Sequence, residues 1–222
     1  VVNLLERHFT HLVDYEFKKQ GVRGSWSGSR TSRWSGGASD AGVNSVRFHH
    51  MDSANWPRGL FDPKDPAQFA PEALERLDNF IDQLARHGIR SNVNLHVGRA
   101  ASRVIGLPEP NTRYDKIVGI FTPELIAAQE QFARNLLGRV NTVRKVRYAD
   151  DPAIAFVEIT NEDSLFMWSA ARDIPELPEY YAGVLRGQFN AWLKGRYETT
   201  DALRAAWSIG TESLGENMLA DP

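Results

Sequence analysis

The sequence predicts an α/β fold in which parallel strands alternate with helices. Three short segments, 42–49, 89–97 and 153–160, have the apolar or alternating composition of strands. Long segments with apolar residues at helical spacing separate these strands and follow the last of them. Strands that alternate with helices of this length are typical of right-handed β-α-β units, which build a parallel sheet.

The first unit is the clearest one. After the strand over 42–49, residues 71–86 place apolar side chains from Leu74 to Leu84 at helical spacing. Gly88 is the expected C-terminal cap, because glycine readily adopts the left-handed backbone that ends many helices. The remaining predicted elements are, in chain order, a strand over 89–97, a helix from Pro123 to about Val140, a strand over 153–160 that follows a solvated turn at Asp150 and Asp151, and helices over 178–197 and 200–207.

Residues 1–222 are predicted to form a single domain, and residues 1–40 fit its pattern least. Residues 21–26 are a candidate first strand, but 27–42 is rich in Gly, Ser and Arg and has no amphipathic period. We therefore expect 1–40 to be an irregular or divergent segment. The clear strands and the doubtful one correspond to about the first half of a (β/α)8 (TIM) barrel, which has eight strands in typically ~250 residues. The predicted fold is thus α/β, of the (β/α)8-barrel type and incomplete.

Composition excludes several classes of function. The chain has 222 residues, 42% of them hydrophobic and 24% charged, which is ordinary for a globular domain. Lys and Arg number 26 against 28 for Asp and Glu, so charge gives no reason to expect nucleic acid or an anionic membrane as partner. The absence of cysteine excludes disulfides and thiolate nucleophiles. The chain begins with Val1 and shows no signal peptide or spanning segment, so we expect a processed, trimmed or fragmentary chain.

Polar residues mark the ends of the three predicted strands. His49 and His50 end the first strand, His96 ends the second, and Asn161 and Glu162 end the third. In a parallel barrel, reactive groups gather at the C-terminal ends of the strands. The sequence therefore predicts a site where these ends meet.

Three segments within 41–168 resemble, in order, strands two, three and four of the glycosidase clan that contains the family 5 cellulases and mannanases and the family 42 β-galactosidases. They are Gly42-Val-Asn-Ser-Val-Arg-Phe-His, Gly88-Ile-Arg-Ser-Asn-Val-Asn-Leu-His and Phe156-Val-Glu-Ile-Thr-Asn-Glu. The resemblance implies an O-glycosyl hydrolase that cleaves β-linked carbohydrates without a metal or an organic cofactor. It also implies a secreted or periplasmic location.

The resemblance assigns a role to each matching residue. Glu162 corresponds to the clan's general acid/base, and Asn161 to the residue that binds the sugar 2-hydroxyl. Arg47 corresponds to the arginine that supports the nucleophile, and His96 to the histidine that lines the cleavage subsite. The further predicted substrate contacts are His49, His50 and the loop residue Trp56.

Two departures from the clan pattern stand beside these matches. A retaining glycosidase needs a second carboxylate ~5–5.5 Å from the acid, and nothing in this chain matches the clan's nucleophile at the end of strand seven. Asp163 stands where the family 5 pattern usually has Pro.

Arg47 also has a purely structural alternative, which is an ion pair with Glu158 inside the barrel.

Two other functions remain as alternatives. One is a metal-dependent barrel hydrolase in which the three strand-end histidines, with Glu162 or Asp52, ligate a divalent ion. Adjacent histidines argue against it, because the side chains of His49 and His50 point apart on a strand. The other is a truncated, non-catalytic sugar-binding relative, whose exposed sheet edge would pair with a second copy or with a missing C-terminal half.

Overall fold

The computed structural model describes Ser35 and residues 37–40, 42–54, 59–111, 115–167 and 169–207. Within these residues, the chain forms a parallel sheet of three strands with helices between them. The elements are β1 (Ser45–Phe48), α1 (Pro71–Arg86), β2 (Arg90–Asn94), α2 (Ala101–Ile105), α3 (Pro123–Leu137), β3 (Ile154–Glu158), α4 (Ala170–Asp173), α5 (Glu179–Tyr197) and α6 (Thr200–Trp207). The predicted α/β class is confirmed.

The sheet has the order β1-β2-β3, and both pairings are parallel. Arg47 of β1 lies opposite Asn92 of β2, and Asn94 of β2 lies opposite Glu158 of β3. Because the three strands run in one direction, their C-terminal ends lie at the same end of the sheet. The strand-end residues predicted from the sequence are therefore brought to one place.

One face of the sheet packs on the helices. The core on this face draws apolar side chains from α1, α3 and the central strand, including Leu77, Ile81, Val93, Leu95 and Leu136. The opposite face of β2 carries Asn92 and Asn94, and Asn94 is fully buried. This alternation is the one that the sequence predicts for the second strand.

The edge strand β3 departs from strict alternation. Ser91 pairs with Ile154 but the next residue, Asn92, pairs with Phe156, so the register shifts by one residue. Phe156 lies opposite Asn92 and two residues from Glu158, so it shares their face of the sheet, and 61% of it is exposed. An apolar side chain therefore interrupts the polar residues on this face. The adjacent Val157 and the following Ile159 are 42% and 76% exposed, so β3 and its end carry exposed apolar side chains on both faces.

Helix α1 spans the predicted residues. Pro71 occupies its first turn, where the missing N–H costs no hydrogen bond. The C-cap residue is His87, and Gly88 follows it with a φ of 73°, which is the left-handed conformation that glycine adopts without strain. The predicted cap thus lies one position beyond the observed one.

Asp78 of α1 is fully buried and organises the connection from α3 to β3. Its carboxylate accepts hydrogen bonds from Arg139 Nη2 at 2.7 Å, from the Thr142 amide at 3.0 Å and hydroxyl at 2.8 Å, and from the Tyr148 hydroxyl at 2.6 Å. Burial alone would raise the pKa of Asp78, but these hydrogen bonds hold that pKa below its ordinary value. The Asp78 carboxylate therefore holds the connection between α3 and β3 in place through three residues of that connection.

This connection explains two wrong predictions. Helix α3 ends at Leu137 rather than near Val140, because Val140 forms an antiparallel bridge with Arg147. Asp151, predicted in a solvated turn, is 3% exposed and forms an ion pair of 2.6 Å with Arg144. Both differences arise from contacts among residues 140–151, which no periodic pattern in the sequence indicates.

The described part of the N-terminal segment is helical at 37–40, and Ala38 packs against Leu84 and Ile89. The candidate strand at 21–26 lies outside the described residues. Among the residues that the structure describes, no helix combines the length and apolar character needed to cross a membrane.

Candidate active site

Arg47 joins the ends of β1 and β3. Its Nε and Nη2 atoms donate to the two carboxylate oxygens of Glu158 at 2.6 and 2.7 Å, and Nη2 also donates to Asn161 Oδ1 at 2.5 Å. The hydrogen bonds from Arg47 hold the pKa of Glu158 below its ordinary value, against a partial burial that would raise it. The alternative in which Arg47 pairs with Glu158 is thus confirmed, and the same guanidinium also holds a predicted site residue.

Asn161 is held through its main chain as well. Its amide donates to the carbonyl oxygen of His96 at 2.8 Å, and the residue is 8% exposed. With Arg47 on its side chain and His96 on its main chain, Asn161 connects all three strand ends. These contacts bring together three of the residues that the sequence predicts for the site.

The adjacent histidines lie beside this arginine. Arg47 Nη1 lies 3.1 Å from His49 Nδ1, and the rings of His49 and His50 meet edge to face with centroids 4.4 Å apart. The backbone at His50 has a φ of 60°, which turns the chain sharply after β1. His49 therefore continues the polar cluster that begins at Glu158.

His96 lies between two carboxylates. Its Nδ1 atom is 3.7 Å from Asp52 Oδ2, and its Nε2 atom is 3.6 Å from Asp163 Oδ2. The same Asp52 oxygen accepts three consecutive backbone amides, from residues 97, 98 and 99, at 2.8, 2.9 and 3.0 Å. Asp52 thus anchors the chain that leaves β2 and places its carboxyl group beside the imidazole.

Asp163 is the second carboxylate beside His96, and its side chain is 2% exposed. Burial raises its pKa, while the nearby Lys116 and His96 and a 3.0 Å hydrogen bond from the Thr160 hydroxyl act in the opposite direction. Lys116 Nζ lies 3.3 Å from Asp163 Oδ1 and donates to the Asn161 carbonyl oxygen at 3.2 Å. Lys116 and Asp163 therefore extend the polar cluster beyond the predicted residues.

Glu162 lies between two anchored neighbours, Asn161 and Asp163, and is itself exposed. Its φ of 53° is in the left-handed region, which non-glycine residues seldom adopt. Strand β3 already ends at Glu158, so strand alternation does not determine the direction of the Glu162 side chain. The backbone turn, rather than the strand, directs this carboxyl group.

No protein-family model and no curated protein matches the chain. In structure the chain is similar to an endo-1,4-beta-mannanase from Rhizomucor miehei, with a TM-score of 0.50, 18% identity, and coverage of 82% of this chain and 50% of that chain. It is also similar to an endo-beta-1,4-mannanase from Thermotoga petrophila, with a TM-score of 0.49, 16% identity, and coverage of 81% and 37%.

The fold is part of a (β/α)8 barrel. The chain spans about half the length of the Rhizomucor protein. The resemblance to the TIM-barrel glycosidases is thereby confirmed at the level of the fold. Many unrelated functions use this barrel, so the activity has to be argued from the residues of the site.

Two further predictions concern the substrate contact at Trp56 and the alternative of a metal site. Trp56 lies outside the described residues. Among the described residues, no group of three or more His, Asp or Glu side chains is arranged to hold a metal ion. The hypothesis of a metal-dependent barrel hydrolase therefore lacks a ligand set in this part of the chain.

Sequence reasoning missed Lys116 in the barrel site, and it named Asp52 and Asp163 only in passing. Lys116 lies in an irregular stretch before the turn at Val118–Ile120, where no periodicity signals a role. Asp163 carried a usable signal, because it directly follows the Asn-Glu pair at a barrel strand end. Asp52 lies just after the two histidines, but its amide partners at 97–99 cannot be found from sequence spacing.

Proposed function

We propose that this chain is part of an O-glycosyl hydrolase that cleaves β-glycosidic bonds, with Glu162 as the general acid/base. One observation carries the proposal. Glu162 is an exposed carboxylate just beyond a barrel strand, and it follows Asn161, whose side chain Arg47 holds at 2.5 Å. Barrel enzymes place their reacting groups at this end of the strands.

The proposed chemistry is a retaining mechanism with two carboxylates. Protonated Glu162 gives its proton to the glycosidic oxygen as the bond to the anomeric carbon breaks, and the second carboxylate bonds to that carbon. The Glu162 carboxylate then takes a proton from the water that releases the sugar. Arg47 engages Glu158, and no residue of this chain matches the clan's nucleophile, so we assign no residue to the second carboxylate.

Asn161 and the histidines are the proposed substrate contacts. Because Asn161 Oδ1 accepts from Arg47, its Nδ2 group is the donor that we assign to the sugar 2-hydroxyl. His96, His49 and His50 border the same strand ends. The two similar structures are named as mannanases, so β-1,4-linked mannans are the first substrates to test.

The test is hydrolysis of nitrophenyl β-mannoside, β-glucoside and β-galactoside and of β-1,4-mannan by the purified chain. Glu162→Gln removes the acid, and general acid/base catalysis typically contributes ~10²–10⁴-fold in rate. Glu198→Gln is the matched control, because Glu198 is also exposed and has a φ of 59°. Hydrolysis of β-1,4-mannan, whose leaving group needs the proton, would refute the assignment if Glu162→Gln left it unchanged.

A second candidate is a non-catalytic, sugar-binding relative. It is favoured by the coverage of about half of a mannanase barrel, since the described strand ends offer Glu162 as acid but no assigned nucleophile. This candidate predicts calorimetric binding of mannooligosaccharides without hydrolysis, and Asn161→Ala should weaken that binding. Hydrolysis that depends on Glu162 would exclude it.

A further inference from the structure

One lysine contacts the residues on both sides of Glu162. Lys116 Nζ donates to the carbonyl oxygen of Asn161 at 3.2 Å and forms an ion pair of 3.3 Å with Asp163 Oδ1. Lys116 lies in the connection between α2 and α3, and its side chain is 20% exposed. It therefore reaches the end of β3 from a separate part of the fold.

The conformation between these two contacts is unfavourable by itself. Glu162 has a φ of 53°, and a left-handed backbone at such a residue persists only where its surroundings enforce it. The glutamate side chain is exposed, so packing of that side chain does not supply the enforcement. The contacts of its neighbours must supply it.

Asp163 is suited to this task because its carboxylate is buried and held from several directions. The Thr160 hydroxyl donates to Oδ2 at 3.0 Å, and His96 Nε2 lies 3.6 Å from the same oxygen. His96 in turn faces Asp52, which three backbone amides fix. Lys116 thus connects the two residues that flank Glu162 to the buried cluster of Asp163, His96 and Asp52.

We propose that Lys116 and Asp163 are positioning residues that hold Glu162 in its left-handed backbone and so keep its carboxyl group directed out of the strand end. The reason for holding Glu162 in this position, which is catalysis, rests on the proposed function. The mechanical part, in which the contacts of Lys116 hold residues 161–163, is measurable without any activity.

The first experiment measures amide hydrogen exchange by NMR in Lys116→Met. The Asn161 amide, which donates to His96, should exchange roughly tenfold faster or more once the charged contact is lost. The Val97 amide, which donates to Asp52, is the internal reference and should keep its rate. Lys64→Met is the matched control, because Lys64 is an exposed lysine on another loop.

Asp163→Asn provides a second, independent variant. It keeps the side-chain shape but removes the charge that faces Lys116, so Asn161 exchange should again rise. In an active chain, both variants should lower kcat with little change in KM, and Lys116→Arg should recover part of kcat, because the cation is retained.

The outcomes separate this inference from the proposed function. Faster Asn161 exchange together with a lower kcat supports both. Faster exchange in a chain that hydrolyses no glycoside supports the lysine contact and favours the non-catalytic, sugar-binding candidate over hydrolysis by this chain. Asn161 exchange within twofold of the wild-type rate in both variants overturns the inference, whatever the activity.

Discussion

Arg47 and Glu158 form a two-pronged ion pair across the central strand, with N–O distances of 2.6 and 2.7 Å. The side chains are 22% and 30% exposed, so the pair is largely shielded from water. It ties β1 to β3, and Arg47 carries the connection on to Asn161. The ion pair that sequence reasoning set out as a structural alternative to function is therefore part of the candidate site.

The pair should contribute measurably to stability. In a double-mutant cycle with Arg47→Met and Glu158→Gln, we expect a coupling free energy of roughly 1–2 kcal/mol from urea unfolding, because charged hydrogen bonds that are partly buried are strong. The control cycle uses Arg103 and Glu109, which make the same two-pronged contact at 2.8 Å but are 70% and 59% exposed. Solvent screening should make the control coupling clearly smaller. Equal couplings would contradict the account.

The same pair predicts a dependence of stability on pH. The pKa of Glu158 is lowered in the folded chain, chiefly by Arg47, so its contribution is complete above the ordinary glutamate pKa of about 4.3. It is lost as the pH falls through the lowered folded value. The difference in unfolding free energy between wild type and Glu158→Gln should therefore be constant near neutral pH and shrink in acid. A difference that grows in acid would contradict the assignment.

Replacing Asp78 should lower the free energy of unfolding strongly, although this residue lies outside the candidate site. Asp78→Ala leaves Arg139, Thr142 and Tyr148 without their acceptor, and we expect a loss of roughly 3 kcal/mol or more in chemical unfolding. Asp150→Ala is the control, because the Asp150 side chain is 50% exposed and its loss should cost less than about 1 kcal/mol. Similar losses of unfolding free energy in the two variants would show that the hydrogen bonds to Asp78 are not what holds the α3–β3 connection.

The uncovered surface of β3 predicts self-association or binding of a further half-barrel. Ile159 is 76% exposed beside Val157 and Phe156, and an open apolar sheet edge readily pairs with another chain. Ile159→Lys should lower the association seen in sedimentation without lowering the melting temperature. Ile105→Lys, at a 43% exposed position on α2, is the control. A wild-type chain that stays monomeric at every concentration would refute association with a second copy.

The sequence predicted those elements whose signals are local. Helix α1 was found because its apolar period, Pro71 and Gly88 all lie within one segment, and the parallel order followed from strands that alternate with helices. The predicted end of α3 was wrong because Val140 bridges to Arg147 just beyond the helix. Asp78 holds that connection, and it lies more than 60 residues away from its partners Arg139 and Thr142.

The residues of the candidate site likewise divide into those that the sequence could predict and those that it could not. Strand-end residues such as His96 and Asn161 were predictable because parallel strands bring their C-terminal ends together. The roles of Lys116 and Asp52 were not, because both act through tertiary contacts with other loops. The left-handed backbone at Glu162 carries no sequence signal either, since glutamate is not a residue that favours positive φ.

The central claim is that Glu162 supplies the proton to the leaving oxygen, and the most direct test is its dependence on the leaving group. The measurement is kcat/KM of wild type and Glu162→Gln with mannooligosaccharides and with dinitrophenyl β-mannoside, which needs no proton to depart. The account predicts a loss of about 100-fold or more with the oligosaccharides and a much smaller loss with the dinitrophenyl substrate. An equal loss with both substrates, or none with either, would contradict it.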